Sequence, residues 1–137
     1  MTEIATTTGI ADLLPRAAAK HGSTPAVKFN DGGWKTRSFA EVGDTVRELS
    51  KGLMALGVAK GDKVSILANT RPEWTYHDFA ALSAGATVVP IYQTNSPEEC
   101  QYVLEDSDAK VVVSRTRRSS PRCAPCATRC RRSSTSC

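Results

Sequence analysis

Residues 71–99 read RPEWTYHDFAALSAGATVVPIYQTNSPEE. They decide the architecture, because the hydrophobic period changes twice within them. From Pro72 onward the apolar positions Trp74, Phe79, Ala80, Leu82 and Ala84 carry a helix, and Gly85 is placed to stop it. TVVPIY, residues 87–92, is a short continuous apolar run, the pattern of a strand covered on both faces. Ser96, Pro97 and Glu99 then form a capping box with proline at the first helical position, opening the helix CQYVLEDS. Thr70 is expected to cap the first helix in the same way, with Glu73 as its partner. Helix, buried strand and helix in such quick succession point to β-α alternation and a parallel sheet.

The flanking sequence extends this pattern in both directions. VSILA after a Gly-Asp turn is a further buried strand, and AKVVV at 109–113 is a third apolar strand. Ser38 with Glu41 makes another capping box, starting a helix whose inner face is Phe39, Val42, Val46, Leu49, Leu53 and Leu56 and which ends at Gly57. Before it, TPAVKFN and WKTRS flank Asp31-Gly32-Gly33 as the arms of a hairpin. Residues 9–21 carry Ile10, Leu13, Leu14 and Ala17 at helical spacing, with Pro15 expected to split or kink that helix. The fold class is therefore α/β, a β-hairpin followed by βαβαβ with short loops.

Composition divides the chain at Val113. The net charge of +4 is an average of two unlike parts. Residues 114–137, SRTRRSSPRCAPCATRCRRSSTSC, hold seven arginines, four of the five cysteines and no acid. The first 113 residues hold eleven basic and fourteen acidic side chains, a net −3. No apolar run is long enough to cross a bilayer. MTEIATTTGIADLL lacks the basic and apolar regions of a secretory signal. A cytoplasmic location is the expectation, and there clustered thiols do not form lasting disulfides.

The segment 71–99 resembles the N-terminal region of adenylate-forming enzymes, most closely the long-chain fatty-acid–CoA ligases. The features shared are an "N-x-x-PEW" helix, then "AGA-V-VPIY-T-SPEE", framed by SFAEV, GDKVSIL and SDAKVVV in the same order. The resemblance covers residues 9–113. It implies the opening part of a large N-terminal domain at 1–113. It also implies a reaction in which ATP and a fatty acid give an acyl-adenylate, and coenzyme A then displaces AMP. ATP, magnesium and CoA are the cofactors implied for the intact enzyme, with fatty acid and CoA as its partners and a membrane surface as a further one. The family's phosphate-cradling Ser/Thr/Gly loop, its Y-G-x-T-E segment, its ribose-binding Asp and its C-terminal lysine do not occur in this sequence. No catalytic, cofactor-binding or metal-binding residue is therefore carried over, and the chain alone is expected to bind no cofactor, to be inactive and to be prone to aggregation.

Several residues invite chemical roles. His77 lies on a helix without a nucleophile or metal pattern beside it, and it reads as a helix-surface or partly buried histidine. His21 suits a helix C-terminus as a cation. Cys100 at a helix start reads as a packed thiol. Arg71 and Glu73 read as structural, and Trp74, Tyr92 and Tyr102 as core.

The tail has two readings. As a binding module, it would hold zinc or nucleic acid through Cys123, Cys126, Cys130 and Cys137 and its arginines. Only Cys123 and Cys126 form a zinc-type knuckle, however, and no apolar residues stand nearby to build a small core. As an out-of-frame segment, it would be disordered and would carry no specific nucleic-acid site. The tail uses only Arg, Ser, Thr, Pro, Ala and Cys, all compatible with GC-rich codons. Back-translated with such codons and read one base earlier, it gives VEDAAELAAVRAVRDALPALEHVV. That product, absent from the chain, opens acidic, continues amphipathic and ends in an apolar run. A frameshift after about Val113 is the reading that accounts for more of the tail.

Overall fold

The hairpin and the three parallel strands are separate sheets in the computed structural model of the chain, which describes residues 9–114. VSIL is buried as expected, whereas TVVPI, expected to be buried, lies at the sheet edge with Thr87 and Pro90 exposed. A short 3₁₀ turn at Ile10–Asp12 leads into α1, Leu13–His21. Pro15 sits in the first turn of α1, where the backbone N–H it lacks has no intrahelical partner in any case, so it neither splits nor kinks the helix. The strands β1, Pro25–Asn30, and β2, Trp34–Ser38, pair antiparallel. The helix α2 spans Phe39–Ala55, and its capping box is complete. Ser38 N donates to Glu41 Oε2 at 2.8 Å and Glu41 N donates to Ser38 Oγ at 3.3 Å.

After α2 the order is β3, Lys63–Leu67; α3, Pro72–Ser83; β4, Thr87–Ile91; α4, Pro97–Ser107; and β5, Val111–Ser114. Both α2 and α3 end in the same device. Gly57 (φ 90°) follows α2 and Gly85 (φ 78°) follows α3 in left-handed conformation. Gly57 N donates to Met54 O and Val58 N to Leu53 O; Gly85 N donates to Leu82 O and Ala86 N to Ala81 O. These are paired Schellman bonds, and each puts a buried apolar residue just past the helix against another within its last turn. This explains the one departure on the inner face of α2. Leu56 caps the helix and is exposed, while Val58 and Ser50 are the buried residues.

The sheet order is β4-β3-β5, all parallel, with Val64 opposite both Val88 and Val111 and Ile66 opposite Pro90 and Val113. The central strand β3 has Val64, Ser65 and Ile66 fully buried. Its two faces belong to different layers. Val64 packs with α1, α2 and α3 through Leu14, Val42, Val46, Leu53, Ala80 and Ala81. Leu67 and Ile91 pack with Cys100 and Leu104 of α4. Opposite faces for α3 and α4 follow from right-handed crossovers: β3 to β4 runs one way across the sheet and β4 to β5 runs back past β3. Lys110 ties the start of β5 to the turn before β3, its Nζ donating to Asp62 Oδ2 at 2.8 Å and Gly57 O at 2.7 Å.

Candidate functional site

In an open parallel sheet, ligands are held in the crevice beyond the carboxyl ends of the strands, where the strand order reverses. Here that point lies between β3 and β5. A cleft of about 360 Å³ opens there. Its floor is Ile66 and Ala68 at the end of β3 with Val113 and Ser114 at the end of β5. Its wall is the loop after β3 and the first turns of α3, contributing Asn69, Arg71, Glu73, Trp74 and His77.

The start of α3 differs from the sequence expectation. Its N-cap is Arg71, in extended conformation, and no side chain caps it. Pro72 takes the first helical position and presets the helical φ, so Thr70 falls one residue too early to bond back. Glu73 pairs instead with Arg71, whose Nε donates to Glu73 Oε2 at 3.2 Å. The Arg71 side chain is 34% exposed and that of Glu73 is 55% exposed. His77 Nδ1 lies 2.7 Å from the carbonyl oxygen of Glu73. A carbonyl only accepts, so Nδ1 carries the proton and Nε2 is the acceptor of the neutral ring. His77 is thus a half-buried wall residue of the cleft, in keeping with the reading of a partly buried helix histidine.

The other flagged residues scatter. His21 closes α1 with its ring 6.2 Å from that of Phe39. Cys100 is fully buried under α4, a packed thiol. Trp74 is half-buried in the cleft wall. Tyr92 and Tyr102 are not core: they are 76% and 68% exposed. Tyr92 follows β4 in a surface turn closed by Asn95 N donating to Tyr92 O. Tyr102 lies on the side of α4 away from Cys100 and Leu104, two residues from each, about 200° around the helix. Asn69, Ile66, Val113 and Ser114 carried no functional flag. Their only signal is position at strand ends, which becomes meaningful once the strand order is known.

Local electrostatics is mild. Burial pushes the Asp78 carboxyl on α3 above its ordinary range, and burial likewise raises the Tyr76 hydroxyl. Hydrogen bonds from Lys110 and from the Ala59 N–H hold Asp62 below the usual carboxylate range. Among the described residues no group of three or more His, Cys, Asp or Glu is placed to hold a metal ion. Cys123, Cys126, Cys130 and Cys137 lie outside the described residues. Among the described residues no helix is long and apolar enough to cross a membrane.

The profile described as "AMP-binding enzyme" matches residues 14–136. The chain belongs to the AMP-binding enzyme family. The match runs on past Val113. Among curated members, the long-chain-fatty-acid–CoA ligase FadD15 of Mycobacterium bovis is 45% identical over 86 residues, 63% of this chain and 14% of that ligase. Solved members agree in fold. A fatty acyl CoA synthetase of Mycobacterium tuberculosis superposes with a TM-score of 0.73 at 28% identity, over 77% of this chain and 21% of that one. The N-terminal domain of FACL13 from the same organism gives 0.75 at 27% identity, over 79% and 27%. The aligned region thus spans about a seventh of the length of the curated ligase and about a quarter of the solved chains. The α/β fold, with its hairpin and three-stranded parallel sheet, is that of the N-terminal part of these adenylate-forming enzymes.

Proposed function

We propose that the whole protein to which this sequence belongs is a long-chain fatty-acid–CoA ligase acting in the cytoplasm, with contact to a membrane surface. The observation that carries this is the 45% identity over 86 residues to a ligase of that name. The reaction joins a fatty acid to ATP as an acyl-adenylate with release of pyrophosphate. The CoA thiol then displaces AMP.

The described residues do not fit the groups this chemistry uses. No carboxylate cluster suits magnesium, and the loops after β3 and β4 present no run of glycines and hydroxyls to surround phosphates. No step is therefore assigned to a residue of this chain. Its part is scaffolding, the first strands and helices against which later elements pack. In the sheet of the described residues, β4 and β5 each have one unpaired edge, and Val112 is partly exposed on β5. Such edges pair with other copies, so the chain alone is expected to aggregate at high concentration.

The tail is assigned to a shifted reading frame after about Val113, on composition. The family match reaching residue 136 is what an in-frame tail would produce; the six-residue-type alphabet is what a shifted one would produce. The assay for function uses palmitate, ATP, magnesium and CoA, with thioester formation as the readout. The whole protein in its restored frame forms palmitoyl-CoA and the 137-residue chain forms none. A whole protein that adenylates no fatty acid overturns the proposal.

A further inference from the structure

We propose that Lys110 and Asp62 form a latch that holds β5 on the sheet, so that neutralising either side chain releases β5 from β3 while the rest of the fold stays closed. The inference stands whether or not the whole protein is a ligase.

The first observation is where the pair sits. Lys110 Nζ donates to Asp62 Oδ2 at 2.8 Å and to Gly57 O at 2.7 Å, across 48 and 53 residues of chain. Asp62 Oδ2 also accepts from Ala59 N at 2.7 Å, which fixes the turn that carries it. The same turn and the residue after it hold the other strands through backbone bonds. Thr87 N donates to Asp62 O, Gly61 N to Gly85 O and Lys110 N to Lys63 O. The end of α2 and the amino ends of β3, β4 and β5 thus meet at residues 57–63, and Lys110 is the side chain that ties β5 into that junction.

The second observation is cover. The Lys110 and Asp62 side chains are 31% and 29% exposed. The four ion pairs of the hairpin and α2 join residues three or four apart, and every member is at least half exposed. Water screens those pairs far more, so the Lys110–Asp62 bonds weigh more in the fold.

The third observation is how little else holds β5. It has four residues and pairs with β3 alone among the described residues. Val111 and Val113 are only partly buried, and Val112 is 38% exposed. The chain enters β5 through Asp108 in left-handed conformation (φ 56°), which strains a residue bearing a Cβ. Neither buried cluster draws a member from β5: one is built on α1, α2, β3 and α3, the other on β3, β4 and α4. Both can therefore stay closed when β5 leaves. Its departure removes Val113 and Ser114 from the floor of the cleft, so the latch also maintains the switch point.

Hydrogen exchange followed by mass spectrometry tests the latch in the 137-residue chain at low micromolar concentration. Lys110→Met keeps the length of the stem and loses the charge and the donors. It is expected to speed exchange at residues 111–114 about tenfold or more, with α2 and α3 changed less than about twofold. Asp62→Asn, which keeps an acceptor for Ala59 N, is expected to act in the same direction with a smaller effect. Lys110→Arg keeps charge and reach, and is expected to stay within about threefold of the unaltered chain. Lys51→Met, which breaks an exposed pair with Glu48, is expected to leave β5 unchanged. With Cys123, Cys126, Cys130 and Cys137 replaced by serine, the buried Cys100 is expected to stay closed to a thiol reagent in Lys110→Met, because its neighbours Leu67, Ile91 and Leu104 lie outside β5. Unchanged β5 exchange in Lys110→Met or in Asp62→Asn overturns the proposal. So does equal acceleration in α2 and α3, an opened Cys100, or a Lys110→Arg chain that exchanges as fast as Lys110→Met. Should Lys110→Met lose its far-UV circular dichroism, Asp62→Asn against Lys110→Arg decides the matter.

Discussion

Val64 and Ile66 are both 0% exposed, two residues apart on β3 and directed to the α3 layer, but only Ile66 borders the cleft. Truncating each to alanine removes two carbons from Val64 and three from Ile66. At about 0.8 kcal/mol per buried methylene, the transfer cost is about 1.6 kcal/mol for Val64→Ala and about 2.4 kcal/mol for Ile66→Ala. Val64 is enclosed by core on its face. The hole it leaves, about 50 Å³, adds about 1 kcal/mol at about 24 cal/mol per Å³. The space left by Ile66 opens into the cleft and fills with water, so little is added. Both variants are therefore expected near 2.5 kcal/mol. A sealed pocket at Ile66 would instead bring that variant to about 4 kcal/mol. Urea unfolding followed by circular dichroism at low micromolar concentration measures both, compared at equal m. An Ile66→Ala cost exceeding that of Val64→Ala by about 1.5 kcal/mol would refute an open cleft at the end of β3.

Three further outcomes follow from the same coordinates. Ser38→Ala and Ser96→Ala each cost about 1 kcal/mol by urea unfolding, since both side chains accept from the N3 backbone, whereas Thr70→Ala stays within about 0.5 kcal/mol because Arg71 holds the cap position. Gly52→Ala on α2, where a Cβ meets open space, raises stability by about 0.5–1 kcal/mol; Gly85→Ala, at φ +78° and with Lys60 3.3 Å from the new Cβ, lowers it by more than that. Asp78→Asn stabilises the chain at neutral pH. The Asp78 carboxyl is raised by burial, so its charged form opposes folding once the pH climbs past its unfolded value. The advantage of the variant vanishes in acid, where both states hold the proton, and a pH series of unfolding midpoints shows it.

Local chemistry made much of the fold legible. Ser38, Ser96 and Gly57 act through bonds to residues within four positions, so the sequence alone placed α2 and α4 within a residue or so. The strand VSIL was visible because both of its faces are covered, and TVVPI because its apolar run is continuous, although as an edge strand it leaves Thr87 and Pro90 exposed. Thr70 misled because the capping pattern and the Pro72 signal disagree by one residue, and proline at the first helical position prevailed. Tyr92 and Tyr102 misled because aromatic size suggests core, while their positions on a turn and an outer helix face decide otherwise. The cleft was not legible at all. It exists because β5 lies beside β3 rather than β4, and that is a property of pairing between residues some 47 positions apart, such as Val64 and Val111. His77 and Arg71 could be seen in the sequence, but what brings them to a strand end could not.

The claim most open to direct test is that the protein continues as a ligase beyond Val113 in another reading frame. The nucleotide sequence across codons 105–137 tests it in one read. The account predicts that the frame one base earlier runs on uninterrupted, opening acidic, then amphipathic and helical, then an apolar strand. A stop codon in that frame, or a product without helix and strand periodicity, would contradict it and return the cysteine-rich tail to the protein as its own.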